Sequence, residues 1–194
     1  MRACSRVIMA SSASAAFIAS KVLASALFRE GSAVQAFPAF GVERRGAPVT
    51  AFLRFSQGPI LLRCEITQPH DLIILDPTLI KAVDVTQGLE PGGTILINTD
   101  RDADTYASLT SRFRVTLVDA SDIARKYGLG SRTQPIVNTA ILGAFAAASG
   151  LVSLNAICEA IAEAIPGKAD LNIAAAREAA LAVVRLPFAE VHHA

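Results

Sequence analysis

The chain has 194 residues, 52% hydrophobic and 18% charged, which is enough apolar material for the core of one globular domain. A net charge of +1 gives no reason to expect binding to nucleic acid or to an anionic membrane surface. Cys4, Cys64 and Cys158 are far apart and form no Cys-x-x-Cys motif, which excludes an iron–sulfur or zinc cassette built by this chain alone. Scattered thiols fit a reducing compartment, so we expect a cytoplasmic protein. The low charged fraction also suggests that partner chains cover some apolar surface.

The first 29 residues contain no acidic residue and include the apolar run Val7–Ala19, a pattern that is also found in signal and transit peptides. Lys21 interrupts the run, which is then too short to span a membrane. We therefore expect a strand at Arg6–Met9, a turn, and an amphipathic helix from about Ala13 to Phe28. Three serines are candidate caps of this helix: Ser11, Ser12 and Ser14.

The next region predicts two strands, at Ala33–Phe37 and Val49–Phe55, and a third at Ile60–Cys64 that pairs with the second as a hairpin. The segment between the first two is rich in Pro, Gly and Phe and contains the adjacent Arg44 and Arg45. A stiff loop of this kind is either an irregular crossover with solvated arginines or a segment that binds an anion or docks onto a subunit.

From Asp71 onward, apolar strands alternate with short helices, which predicts right-handed crossovers and a parallel sheet. The expected strands are 72–75, 94–98 and 115–119, and the expected helices are 78–83, 102–109 and 120–127. Ligands of such sheets bind at the carboxyl ends of the strands, and these ends are predicted at 9–15, 76–78, 98–100 and 119–121.

The C-terminal part is predicted to be helical, with Asn138 and Ser153 as the caps of two successive helices. Helices are expected at 139–149, 153–165 and 168–187. The fold class is therefore α/β: a Rossmann-like, mostly parallel sheet flanked by helices, with an inserted hairpin and a C-terminal helical segment. We expect one domain over residues 1–194, with the α/β core to about residue 135 and the helical part from about residue 136.

The sequence shows no combination of nucleophile, base and orienting group, and neither Gly-x-Ser-x-Gly nor His-Glu-x-x-His occurs. The carboxylates that follow strands, Asp76, Asp100 and Asp119, are expected to cap the next helix or turn. No catalytic residue and no metal site are predicted in this chain.

The turn Ala10–Ala15 lies where a Rossmann-like domain has its glycine-rich phosphate loop, but it contains no glycine. Each Cβ keeps a phosphate away from the backbone. The hydroxyls of Ser11, Ser12 and Ser14, together with the amino end of the helix, leave weak anion binding open.

The segment Phe37–Val49 resembles the gamma subunit of the pyruvate/2-oxoacid:ferredoxin oxidoreductases. Further similar segments follow in the order found in the family: 75–78, 85–93, 135–144, 150–153 and 165–168. The resemblance covers almost the whole chain, and it favours the pyruvate-type branch over the indolepyruvate branch.

The resemblance implies a multisubunit enzyme that decarboxylates a 2-oxoacid on thiamine diphosphate and passes electrons through iron–sulfur clusters to ferredoxin, while coenzyme A captures the acyl group. Alpha, beta and delta partner subunits would hold the thiamine diphosphate with its Mg and the clusters. This chain would contribute to assembly and to coenzyme A binding. By the same resemblance, Arg44 and Arg45 are candidates for anion contacts or intersubunit pairs, and Asn138 is a candidate on the coenzyme A side.

One segment departs from the family pattern. The family has Gly-x-Gly-Gly-Gln-Gly at the position of Ala10–Ala15, where this chain has only Ala and Ser. Either the subunit binds its ligand with a modified loop or it has lost the ligand and remains as a scaffold. Because the Phe37–Arg54 segment is intact, we expect Arg44 and Arg45 to act first as assembly contacts and second as coenzyme A ligands.

Overall fold

The computed structural model describes residues 5–11, 15–38, 49–62 and 64–188. Its framework is a seven-stranded sheet in the order β2-β3-β1-β4-β5-β6-β7. The strands are β1 (Ser5–Ser11), β2 (Ala33–Pro38), β3 (Val49–Ser56), β4 (Asp71–Ile74), β5 (Thr94–Asn98), β6 (Arg114–Val118) and β7 (Val184–Arg185). The pairs β1–β4, β4–β5 and β5–β6 are parallel, and the other three are antiparallel. The expected mostly parallel central sheet is therefore confirmed.

Helices flank this sheet and form most of the C-terminal part. They are α1 (Ala15–Arg29), α2 (Leu79–Ala82), α3 (Ala107–Thr110), α4 (Ala120–Lys126), α5 (Ala140–Ser149), α6 (Leu154–Ala164) and α7 (Ala169–Leu181). Two 3₁₀ turns precede α3 and α7, at Ala103–Tyr106 and Pro166–Lys168. The α6 start confirms one predicted cap, because the Ser153 hydroxyl accepts a hydrogen bond from the Ala156 N–H at 3.1 Å.

The parallel strands are buried on both faces, so successive side chains contribute to two different cores. Ile73 and Leu96 belong to the larger core, which contains α1 and the C-terminal helices. Leu72 and Ile95 belong to the smaller core, together with Phe113. The continuous apolar runs at 72–75 and 94–98 thus reflect two covered faces, as the sequence predicts.

Helix α1 is amphipathic, as expected, and Ala16, Ala19 and Leu23 are buried in the larger core. Of its three candidate caps, Ser11 is the last residue of β1, while Ser12 and Ser14 lie outside the described residues. No helix in the described ranges is long and apolar enough to cross a lipid bilayer.

The strand predicted at Ile60–Cys64 is wrong, because residues 60–62 and 64 form no strand. The hairpin partner of β3 is β2, and β1 pairs with the other edge of β3. Both edges of β3 are therefore occupied, and a third strand has no free hydrogen-bonding groups to pair with.

The end of the last predicted helix is also corrected. Helix α7 ends at Leu181 rather than near Pro187, and Val184–Arg185 pairs antiparallel with β6 as β7. The Leu186 N–H continues this pairing by donating to the Val115 carbonyl at 2.9 Å. The open edge of β6 supplies hydrogen bonds that a helix at this position would not make.

Candidate functional site

A cleft of about 770 Å³ opens at the carboxyl ends of β1, β4 and β5. After β1 the chain continues through α1 to β2 and β3 on one side of the sheet, while β4 pairs with β1 on the other side. This reversal of strand order is where open α/β sheets bind ligands. Ser11, Asp76 and Asn98 line the cleft from the strand ends, and Ser121 lines it from the start of α4.

The rim of the cleft is a tight loop from Gly130 to Pro135, two residues joined by an isolated antiparallel bridge. Gly130 has φ +85°, and a Cβ at this position would lie 2.5 Å from the Gln134 carbonyl oxygen. Glycine is therefore required both for the backbone conformation and for the close approach. The Ser131 hydroxyl accepts a hydrogen bond from the Gln134 N–H at 3.0 Å, which further defines the rim.

Asn98 joins three elements beneath the cleft. Its Nδ2 donates to the Leu75 carbonyl and to the Ser121 hydroxyl, both at 2.9 Å, and its Oδ1 accepts from the Ser121 N–H at 3.2 Å. These bonds connect the ends of β4 and β5 to α4. The sequence analysis predicted that residue 98 ends a strand but did not predict these hydrogen bonds. An amide at the end of a buried strand could have indicated them, because such a side chain needs both donors and acceptors.

Asn138 lines the same cleft, but it does not cap α5 as predicted. The N-cap of α5 is Thr139, and Asn138 lies one residue ahead of it in the preceding turn, so its side chain does not occupy the capping position. Asn138 is 3% exposed, and its Oδ1 has no hydrogen-bond partner among the described residues. Asn138 therefore belongs to the lining of the cleft, but its Oδ1 is covered by the protein, and a ligand in the cleft reaches it only if the side chain turns.

Two of the six predicted site residues, Ser11 and Asn138, come together in this cleft although they are far apart in the chain. Both are buried, and Ser11 ends β1 directly before the glycine-free turn. The other four lie outside the described residues: Ser12, Ser14, Arg44 and Arg45.

The described lining of the cleft is almost uncharged, because Asp76 is its one ionisable residue. The Asp76 carboxylate accepts from the Thr78 N–H at 3.0 Å and from the Thr78 hydroxyl at 2.6 Å, so it closes the turn after β4 as predicted.

Asp119 caps α4 by accepting from the Asp122 N–H at 2.8 Å. The prediction fails for Asp100, whose carboxylate accepts no hydrogen bond from the described residues.

A second pocket, of about 250 Å³, lies on the other side of the turn, and Pro77 lines both cavities. Lys81 and Arg101 contribute its charges, and Ile80 and Leu109 are part of its apolar wall. Both cations are exposed, and the structure gives neither side chain an ion pair with any described carboxylate. Sequence reasoning missed this pocket because its two cations belong to no motif and lie on separate elements.

Comparison with known proteins gives a consistent result. The family model described as pyruvate ferredoxin/flavodoxin oxidoreductase matches residues 7–182. The "Pyruvate/ketoisovalerate oxidoreductases common subunit gamma" of Thermococcus kodakarensis is 47% identical over 167 residues, which are 84% of this chain and 88% of that protein.

Two solved structures resemble the fold. The pyruvate oxidoreductase subunit PORC of Thermotoga maritima has a TM-score of 0.81 and 29% identity, with 96% of this chain and all of that chain (100%) covered. The 2-oxoglutarate:ferredoxin oxidoreductase of Magnetococcus marinus, solved with 2-oxoglutarate, coenzyme A and succinyl-CoA bound, has a TM-score of 0.71. It is 16% identical, and the match covers 97% of this chain but 33% of that one, so it shows the fold alone.

Proposed function

This chain belongs to the gamma-subunit family of the pyruvate/2-oxoacid:ferredoxin oxidoreductases, and from that premise we propose that it serves as one subunit of a complex that oxidatively decarboxylates a 2-oxoacid to an acyl-coenzyme A. The observation that carries this proposal is the 47% identity to a named gamma subunit over 84% of the chain. Partner subunits, of alpha, beta and delta type, supply the thiamine diphosphate and the iron–sulfur clusters, and ferredoxin accepts the electrons. Copurification of this chain with subunits of those types tests the assignment.

Within that complex, the role proposed for this chain is to bind part of coenzyme A in the cleft at the ends of β1, β4 and β5. The cleft residues fit the uncharged pantetheine arm, which contains two amide N–H groups. The unpartnered Oδ1 of Asn138 is the feature that supports this fit. Leaving a buried acceptor without a donor costs about 1–3 kcal/mol, and a ligand amide would offset that cost once the Asn138 side chain turns toward the cleft.

Isothermal titration of the assembled complex with coenzyme A tests this role. Wild type should bind, and Asn138→Leu should bind at least about fivefold more weakly, because one buried hydrogen bond is lost. Asn155→Leu is the matched control, since Asn155 is an exposed residue of α6 and lines none of the cavities described above. Equal affinity of wild type and Asn138→Leu would show that Asn138 does not contact the ligand.

The alternative function is a scaffold that has lost the ligand, and the glycine-free turn Ala10–Ala15 favours it. No heat above background, with the complex intact, would establish this alternative and overturn the binding role. The proposed assembly contacts are tested separately with Arg44→Ala combined with Arg45→Ala. We expect this double variant to release the subunit from the complex in size-exclusion chromatography, and full retention would contradict an assembly role.

A further inference from the structure

The two cavities beside Pro77 have different chemistry. The larger cleft offers uncharged polar groups and one carboxylate, whereas the smaller pocket offers Lys81 and Arg101. Pro77 lines both, so the two cavities meet at the turn 76–78. A single elongated ligand with an uncharged part and an anionic part therefore matches the pair of cavities.

The larger cleft is a poor place for the phosphates of such a ligand. Its one ionisable residue in the described lining, Asp76, repels a phosphate, and no described lining residue provides a compensating cation. The Asn138 amide in its lining has both an acceptor and N–H donors, and a ligand amide can pair with both, whereas a phosphate can only accept. Both features select the uncharged, amide-bearing part.

The smaller pocket has the opposite properties. Lys81 follows the turn on α2, and Arg101 precedes the 3₁₀ turn at Ala103–Tyr106, so two separate elements direct cations to one pocket. Neither cation has a carboxylate partner in the described part of the chain, so a phosphate would not have to displace one. Arg binds phosphate through a planar pair of N–H donors, and Lys adds a point charge.

We infer that Lys81 and Arg101 hold the phosphate groups of coenzyme A, while its pantetheine arm crosses Pro77 and lies in the larger cleft against Asn138. This inference rests on the coenzyme A role proposed above, and it sets the direction in which the ligand lies. The apolar wall formed by Ile80 and Leu109 is then placed to contact the nucleoside.

Binding of two ligand fragments to the assembled complex tests this orientation. Pantetheine carries the amides without the nucleotide phosphates, and adenosine 3′,5′-bisphosphate carries two phosphates without the amides. Lys81→Ala combined with Arg101→Ala should weaken the bisphosphate and coenzyme A at least about tenfold and leave pantetheine unchanged. Asn138→Leu should weaken pantetheine and coenzyme A and leave the bisphosphate unchanged.

A control variant removes one lysine and one arginine at positions outside both cavities. Lys168→Ala combined with Arg177→Ala changes exposed residues of the C-terminal part that line none of the described cavities, and we expect wild-type affinity for all three ligands. An equal loss in this control would mean that net charge alone explains the effect, which would overturn the inference.

Other outcomes are equally decisive. If coenzyme A binds wild type and the Lys81/Arg101 variant equally, the inference is wrong while the proposed coenzyme A role stands. If Asn138→Leu weakens the bisphosphate and the Lys81/Arg101 variant weakens pantetheine, the ligand lies in the reverse direction and the inference is wrong. If wild type binds no coenzyme A, both the proposed role and the inference fail.

Discussion

Thr139 donates its hydroxyl hydrogen to Oδ1 of Asn172 at 2.7 Å, and this buried bond ties the start of α5 to the first turns of α7. The other half of the Asn172 amide donates to the Lys168 carbonyl at 2.9 Å. Thr139 is the neighbour of Asn138, so the position of the cleft acceptor depends on how α5 docks against α7. The C-terminal helices thereby help to position the candidate site.

Replacement of Thr139 by Val should destabilise the fold by about 1–3 kcal/mol, because Oδ1 of Asn172 then remains buried without its donor. Adding Asn172→Leu to this variant should recover part of the loss, since both polar partners are then gone. Urea unfolding measures the change, and Thr67→Val, at an exposed position, serves as the control. An unchanged free energy of unfolding in Thr139→Val would contradict the role of this bond.

Gly143→Ala tests the packing of α5 against α7. A Cβ at position 143 would overlap the carbonyl group of Ala176, so the two helices would have to move apart. We expect a loss of about 1–3 kcal/mol or more, as for other overpacked cores. Gly167→Ala is the control, because a Cβ there meets nothing within 4 Å, and this change should be neutral or stabilising by up to about 1 kcal/mol. Similar melting temperatures for the two variants would refute the close approach.

The need for glycine in the rim loop of the cleft can be tested by substituting two glycines that both have a positive φ. Gly128→Ala and Gly130→Ala impose a similar backbone strain of about 1–2 kcal/mol, but only the Cβ at 130 meets other atoms, those of Gln134 and Ile136. Gly130→Ala should therefore destabilise more and also weaken coenzyme A binding, because the rim loop shifts. Equal unfolding free energies, with equal affinities in titration, would show that the rim tolerates the side chain.

Acid should loosen the contact between α4 and α7. A hydrogen bond from Lys126, supported by one from the Tyr127 hydroxyl, lowers the pKa of Glu178 below its usual value. Because the pKa is lower in the folded state, the stabilisation is present above the unfolded pKa of about 4.3 and disappears as the pH falls through the folded pKa. Glu178→Gln should flatten this part of the stability curve between about pH 5 and pH 2. The control Glu65→Gln, at an exposed position outside the observed ion pairs, should keep the wild-type slope.

Short-range patterns predicted much of this fold correctly. The strands β1–β6 lie within a few residues of their predicted positions, and α5 ends at Ser149 as predicted, followed by Gly150 in the left-handed conformation with φ +64°. The two failed predictions of strands and helices share one cause. A strand at Ile60–Cys64 and a helix to Pro187 are compatible with local propensity, but the availability of a sheet edge decides whether an extended segment pairs.

By itself, the sequence determined the family, because the family's motifs occur in order along the chain. It also determined the alternation of strands and short helices after Asp71 and the caps at Asp119 and Ser153, because these depend on residues a few positions apart. Only the tertiary structure decided that Ser11 and Asn138 face one cleft and that Lys81 and Arg101 share the pocket beside it. The order of the strands in the sheet brings together residues that are far apart in the sequence, and no local pattern predicts such a contact. The amide of Asn138 shows the difference clearly: its sequence position predicts a helix cap, but in the fold it lines the cleft, and its Oδ1 is buried without a partner among the described residues.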